Sequence, residues 1–308
     1  MSPPLVRIRD LHHSYGEHVA LDGVSFEVAE GEIFGVLGPN GGGKTTMFRI
    51  LSTLLPAAAG DVEIAGADVA TDLDLVRRCI GVVFQSPSLD IKLTVRENLT
   101  CHGNLYGMAG ADLSRRVDTG LSALGLTDRA DAFVETLSGG LKRRVELAKG
   151  LLSEPRILIL DEPSTGLDPG ARRDLWDYIL GLRRDRGTTV LVTTHLMDEA
   201  EHCDRLAILD RGRIVAIDTP DALRRKIGGD VLTIRSENAA DLCVEIEKRW
   251  GIRAKNVDGS VRFEHPDARS LLREIYEAFP AGIESIQLAR PTLEDVFIRE
   301  TGHEFWNE

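Results

Sequence analysis

Gly38-Pro39-Asn40-Gly41-Gly42-Gly43-Lys44-Thr45-Thr46 is the stretch on which the reading of this chain turns. Holding a nucleoside triphosphate means coordinating several negative oxygens away from bulk water, and inward-pointing backbone N–H groups of a wrapped loop do this well. So tight a loop calls for residues without Cβ, which Gly41, Gly42 and Gly43 supply. Lys44 brings a point charge to the β and γ phosphates, and the Thr45 hydroxyl suits a magnesium ion bridging them. Residues 33–37 read as a short apolar strand before the loop and residues 46–51 as a helix after it. The positive end of that helix dipole then faces the same anion.

A second cluster narrows the use of the triphosphate. Leu137-Ser138-Gly139-Gly140 precedes Lys142-Arg143-Arg144, and then comes Ile157-Leu158-Ile159-Leu160-Asp161-Glu162-Pro163. The four apolar residues read as a buried strand that ends in Asp161, a carboxylate placed to hold magnesium through a water. Glu162, one residue on, is placed to polarise an attacking water. Ser138 and the two glycines open a helix whose apolar positions Leu141, Val145, Ala148 and Leu152 share one face, giving a second helix N-terminus able to meet a γ-phosphate.

With these motifs in place, the chain resembles the nucleotide-binding subunit of an ATP-binding cassette (ABC) transporter over nearly all of residues 5–220. Gly38, Pro39, Asn40 and the residues through Thr46 match the family's Walker A loop, and Gln85 in Val-Val-Phe-Gln-Ser-Pro matches its Q-loop. Leu137 to Gly140 match the signature, Asp161 with Glu162 match Walker B, and Ser164-Thr-Gly-Leu-Asp168 matches the D-loop. His195, at the end of the strand Val190-Leu-Val-Thr-Thr-His, matches the switch histidine, and Tyr15 stands where the family stacks an aromatic ring on adenine. Taken alone, Tyr15 reads as a surface tyrosine and His195 as a capping or core histidine; their order and spacing with the rest carry the resemblance. One position departs from it. The family's signature usually has glutamine after the second glycine, where this chain has Leu141.

The resemblance implies ATP hydrolysis at a dimer interface. The Walker A loop of one subunit and the Ser138-Gly139-Gly140 helix of another would enclose each ATP, with Asp168 at the same interface. It further implies that Glu162 polarises water, that His195 contacts the γ-phosphate, and that Thr45, Gln85 and Asp161 hold Mg2+. The work would be done on a separate transmembrane permease, with the chain cytoplasmic and peripheral on the inner face of the membrane, and the cargo read by that permease.

Composition fits this expectation. The chain has 308 residues and a net charge of −12, and the acidic excess is shared by residues 1–220 and 221–308, so nucleic acid is not expected as a partner. Cys79, Cys101, Cys203 and Cys243 lie far apart without a C-x-x-C pair, which argues against a disulfide framework or a zinc site. No apolar run reaches membrane-spanning length, and Met1-Ser-Pro-Pro shows no leader pattern.

The expected architecture is α/β: a P-loop core with an antiparallel layer over residues 5–36, a mostly parallel core over 33–85 and 156–218, and a helical subdomain at about 86–154. Residues 221–308 read as a separate α+β accessory unit with strands at 231–235, 252–257, 261–263 and 283–289 and helices at 239–250 and 267–279. That β-α-β-β-α-β order is ferredoxin-like, with Asp258-Gly259 as a hairpin turn. Leu242, Val244 and Ile246, then Leu271, Leu272, Ile275 and Phe279, are taken as the helices' apolar stripes. The stretch from Pro291 to Gly302 resembles the tail of the drug-resistance and polysaccharide exporter branch. A DNA-repair ATPase of the same superfamily separates its halves by a long coiled coil, whereas here about ninety residues without heptads lie between Lys44 and Ser138. A translation factor carries two cassettes and basic linkers, and this acidic chain has one.

Overall fold

Buried apolar runs fix the order of the main sheet. The computed structural model describes residues 3–257, 259–280 and 282–305. It begins β1 (Val6–Tyr15), β2 (His18–Val28), β3 (Ile33–Leu37), α1 (Lys44–Leu51), β4 (Ala59–Ile64), β5 (Ala67–Asp68), α2 (Leu73–Cys79) and β6 (Ile80–Val83). There follow α3 (Val95–Leu105), α4 (Gly110–Ala123), α5 (Gly139–Leu151), β7 (Ile157–Asp161), α6 (Pro169–Arg186), β8 (Thr189–Thr194), α7 (Met197–Ala200), β9 (Arg205–Asp210) and β10 (Arg213–Asp218). Every residue of β3, β7 and β8 is buried, as parallel strands covered on both faces require. They sit in a six-stranded sheet ordered β10-β9-β3-β8-β7-β6.

The register brings three strand ends to one edge. Leu37 pairs with Thr194 and Asp161 with Thr193, so the loops after β3, β7 and β8 leave the sheet side by side. Chemistry at the carboxyl ends of parallel strands is the usual consequence of this topology. The other sheet of this part is antiparallel, ordered β2-β1-β4-β5. Here the structure corrects the sequence reading. Residues 59–68 fall inside the range 33–85 that reads as a mostly parallel core, yet β4 pairs antiparallel with β1, Ile8 facing Val62. A short alternating strand fits either sheet, and only pairing decides.

Among the described residues no named strand lies between β6 and β7. In this helical stretch Val95 and Leu99 of α3 meet Leu113, Val117 and Leu121 of α4 and Val145 and Ala148 of α5, in a cluster that continues into the parallel sheet through Val83, Leu158 and Val190. Thr94 and Glu97 form a reciprocal capping box that starts α3.

The chain clusters into two compact units, Met1–Ile214 and Val215–Glu308, the division falling within β10. The second holds α8 (Pro220–Arg225), β11 (Asp230–Arg235), α9 (Ala239–Trp250), β12 (Lys255–Val257), β13 (Ser260–His265), α10 (Ala268–Ala278), β14 (Ser285–Ala289) and α11 (Leu293–Thr301). Its sheet is ordered β12-β13-β11-β14 with antiparallel pairing throughout. Leu232 and Ile234 of the sheet pack against Leu242 and Ile246 of α9 and Leu271 and Ile275 of α10. Val244 is the exception to the expected stripe. It lies two residues from each of Leu242 and Ile246, on the far side of a 3.6-residue turn, and is 63% exposed. Asp258 lies outside the described residues. The Pro291–Gly302 stretch has a structural basis: Thr292 and Asp295 form a capping box, Leu293, Val296 and Phe297 are buried, and Gly302 ends α11 in the left-handed region. Arg262 of β13 pairs with the buried Asp295 and so ties α11 to the sheet.

Candidate functional site at the edge of the parallel sheet

The loop of residues 38–43 closes because two of its glycines can be nothing else. Gly43, the N-cap of α1, has φ 105°, and a Cβ there would lie 2.4 Å from the Ala20 carbonyl oxygen. A Cβ on Gly38 would lie 2.4 Å from the Leu209 carbonyl oxygen. Gly42 is under less constraint, since its nearest neighbour would be 3.1 Å away.

Lys44 is buried and its ammonium turns back over the loop. Its Nζ donates to the carbonyls of Gly38 and Pro39 at 2.8 and 2.9 Å and lies 3.2 Å from Glu162 Oε1. Burial pushes the Lys44 ammonium below its ordinary pKa, with the Glu162 carboxylate opposing that shift. Thr45 is half-buried beside it and Thr46 is buried, while Asn40 and Gly41 are exposed at the loop tip.

Glu162 is the centre of the arrangement. Its Oε2 accepts from Gln85 Nε2 at 3.0 Å and from Thr165 Oγ1 at 3.4 Å, and lies 3.0 Å from His195 Nδ1. Its backbone sits at φ 45°, a left-handed conformation that costs a non-glycine residue roughly 1–3 kcal/mol and must be held by its surroundings. Part of that hold is Thr193, whose carbonyl and hydroxyl oxygens both accept from Glu162 N at 3.1 Å. Thr193 Oγ1 also donates to Asp161 Oδ1 at 2.5 Å. Burial raises the Asp161 carboxyl above the usual range. The loop carrying His195 is set by Thr194, which accepts from Leu196 N at 2.9 Å and donates at 2.5 Å to the buried Glu199.

The structure thus gathers Lys44, Gln85, Asp161, Glu162 and His195 at one edge of the sheet. The signature residues and Asp168 have other local partners. Ser138 is the N-cap of α5, accepting from Leu141 N at 3.4 Å. Asp168 is exposed and caps α6 through Gly170 N and Ala171 N at 3.0 and 2.9 Å. Leu141 turns its side chain onto the helical core instead of projecting a polar group. Tyr15, at the end of β1, is 45% exposed and meets the edge of the His13 ring at 4.9 Å.

Sequence reasoning passed over Arg143 and Glu146. Both are buried on α5, at 8% and 1% exposure, in a run that looks solvated because Lys142 and Arg144 flank it. The signal was periodic: Arg143, Glu146, Leu147 and Gly150 fall on one face at helical spacing.

Residues 21–165 match the family model described as ABC transporter. A daunorubicin resistance ATP-binding protein of Streptomyces coeruleorubidus is 39% identical, covering 97% of this chain and 95% of its own length. Nod factor export ATP-binding protein I of Rhizobium sp. (strain N33) is also 39% identical, over 99% of each chain. Among solved structures, a dimeric ATP-binding cassette in a post-hydrolysis state bound to ADP and Pi aligns with a TM-score of 0.64 at 29% identity, covering 70% of this chain and 98% of that one. An ATP-binding subunit of an ABC transporter aligns with a TM-score of 0.65 at 32% identity, covering 73% and 93%.

Proposed function

This chain belongs to the ABC transporter family, as an ATP-binding subunit that hydrolyses ATP to power transport, and we propose that Glu162 is the base of that hydrolysis. The carrying observation is the Glu162 carboxylate itself: buried, strained at its backbone, and met at once by Lys44, Gln85 and His195. In this arrangement the phosphates of ATP would take over the Lys44 ammonium and backbone N–H groups of the loop such as those of Gly41 and Gly43, Pro39 having none to give. Glu162, released from Lys44, is then the acceptor nearest the attacking water, and His195 and Gln85 orient groups around the γ-phosphate. Ser138, Gly139 and Gly140 of a second subunit would complete the enclosure, and the dimeric cassette above supports that assembly. Export as the direction of transport is supported by the relatives. A chromosome-type ATPase is disfavoured, since the longest helix among the described residues, α6, has only 18 residues.

Mg2+ is the fitting metal. No group of three or more His, Cys, Asp or Glu among the described residues could cage an ion by itself. One buried carboxylate, Asp161, a hydroxyl, Thr45, and the Gln85 amide match the sparse oxygen set that Mg2+ takes beside phosphate. When bound, it would neutralise charge developing on the β and γ phosphates.

The permease is read from a groove. A depression of about 390 Å³ lies between the end of α1, the end of β6, α3 and α5, lined by Leu54, Arg77, Phe84, His102, Tyr106 and Lys149. Leu54 and Tyr106 are 60% and 46% exposed, and Gln85 follows Phe84 directly. A short cytoplasmic helix of a separate permease seated there would adjoin the Gln85–Glu162 contact. No helix among the described residues is long and apolar enough to cross a membrane. Peripheral attachment to the inner face through that permease therefore completes the reading. Residues 1–220 would be the cassette, with its helical subdomain at about 86–154. Residues 221–308 would be a ferredoxin-like accessory unit, supported by the β12-β13-β11-β14 order and its two covering helices.

Co-purification from detergent-solubilised membranes tests the docking. The parent chain should carry a protein with several apolar helices. A Leu54→Asp/Tyr106→Asp variant should lose it while keeping ATP affinity within about three-fold. Undiminished recovery of the membrane protein by that variant would refute the groove assignment.

A further inference from the structure

We propose that Arg143 is a positioning residue through which the signature helix α5 sets the backbone of Glu162. Its guanidinium donates to four main-chain carbonyls: those of Phe84 and Pro163, and those of Asp161 and Glu162 at 3.3 Å each. One side chain therefore grips the residue before Gln85, the end of β7, the base itself and the residue after it. Arginine suits this task because its planar fork presents five fixed donors, where lysine offers a single rotating ammonium.

The same helix face holds the far end of the Gln85 loop. Glu146 Oε1 accepts from Ser88 N at 2.6 Å, its Oε2 accepts from Ser88 Oγ at 3.0 Å, and Lys149 Nζ donates to the Ser88 carbonyl at 2.8 Å. Residues 84–88 are thus clamped at both ends by α5, and Gln85 between them reaches Glu162 Oε2. Such a hold offsets the cost of the Glu162 backbone, whose φ of 45° is uncommon for a residue with a side chain. A shift of α5 accordingly moves the Glu162 backbone through Arg143 and the Glu162 carboxylate through Gln85. The N-terminus of α5 is the end that meets the partner subunit's nucleotide in the reading above. Arg143 would so link one subunit's ATP to the other's base.

This inference rests on Glu162 as the base, and its test keeps the two apart. Arg143→Gln and Arg143→Met are made in the full chain and in the Glu162→Gln background. ATPase turnover is counted per folded, ATP-binding molecule. In the parent background both should lower kcat by roughly 10- to 100-fold, the scale of a sub-ångström to 1 Å misplacement, with Met worse than Gln. ATP affinity should stay within about three-fold, because Lys44 and its loop are untouched. In the Glu162→Gln background neither should lower turnover further. Parental kcat in both Arg143 variants would overturn the proposal, as would an additional 10-fold loss on top of Glu162→Gln. Failure of both variants to fold would assign Arg143 to the core and overturn it equally. Parental turnover by Glu162→Gln alone would instead remove the base assignment, and the proposal with it.

Discussion

Replacing Lys44 and Glu162 singly and together asks whether the two form one buried network in the protein without nucleotide. Their charges stand 3.2 Å apart, with side-chain exposures of 4% and 6%. At an effective dielectric of about 20 the Coulomb attraction is roughly 5 kcal/mol before desolvation is subtracted, and desolvation removes most of it. Lys44→Met keeps the apolar stem and deletes the ammonium, leaving Glu162 with Gln85, Thr165 and His195. A fully orphaned buried charge costs about 3–5 kcal/mol, and those remaining partners bring the expected loss to about 1–3 kcal/mol. Glu162→Gln costs less, since Lys44 keeps the carbonyls of Gly38 and Pro39. Once Glu162 is neutral, losing Lys44 no longer strands a charge, so the double variant should be about 1–2 kcal/mol more stable than the sum of the single losses predicts. Urea unfolding of the four proteins at neutral pH and without nucleotide measures this. Additivity within about 0.3 kcal/mol would refute the network, because pairs that do not interact behave that way.

Two further expectations follow from other parts of the chain. Burial and Lys149 lower the His102 pKa from its usual 6.5 to about 4. The unfolded state therefore takes up that proton first as pH falls, and stability drops between pH 6.5 and about 4 by at most about 1.4 kcal/mol per pH unit. His102→Gln should flatten that slope in urea unfolding, and an unchanged slope would show that other groups carry it. A chain ending at Ile217 should fold and bind ATP, since every residue assigned to nucleotide precedes it. Calorimetry beside a melting curve checks this, and a folded truncation that does not bind would mean the second unit shapes the site.

Much of the site was legible because its chemistry is local in sequence. The strand 33–37, the loop 38–43 and α1 follow one another, as do β7 and Glu162, so periodicity and a few residue types define them. What escaped depends on partners far along the chain. β4 lies inside the range that reads as a mostly parallel core, and its antiparallel pairing with β1 is hidden because it spans some fifty residues. Val244 was misplaced by counting apolar residues at a spacing of two on a helix. Arg143 and Glu146 carry charges that sequence reading sends to solvent, and only the carbonyls of Phe84, Asp161, Glu162 and Pro163 explain the burial of the first. Asp168, placed by its D-loop position, carries a second role that its sequence also announces, since Asp before Pro169 caps α6.

Turnover and assembly of Glu162→Gln test the central claim most directly. Gln keeps the shape and removes the proton acceptor, so ATP affinity should be retained while kcat falls by about two to four orders of magnitude. With ATP and Mg2+ the variant should also elute as a stable ATP-loaded dimer in size-exclusion chromatography. Turnover within a few-fold of the parent, with no dimer accumulating, would contradict the account.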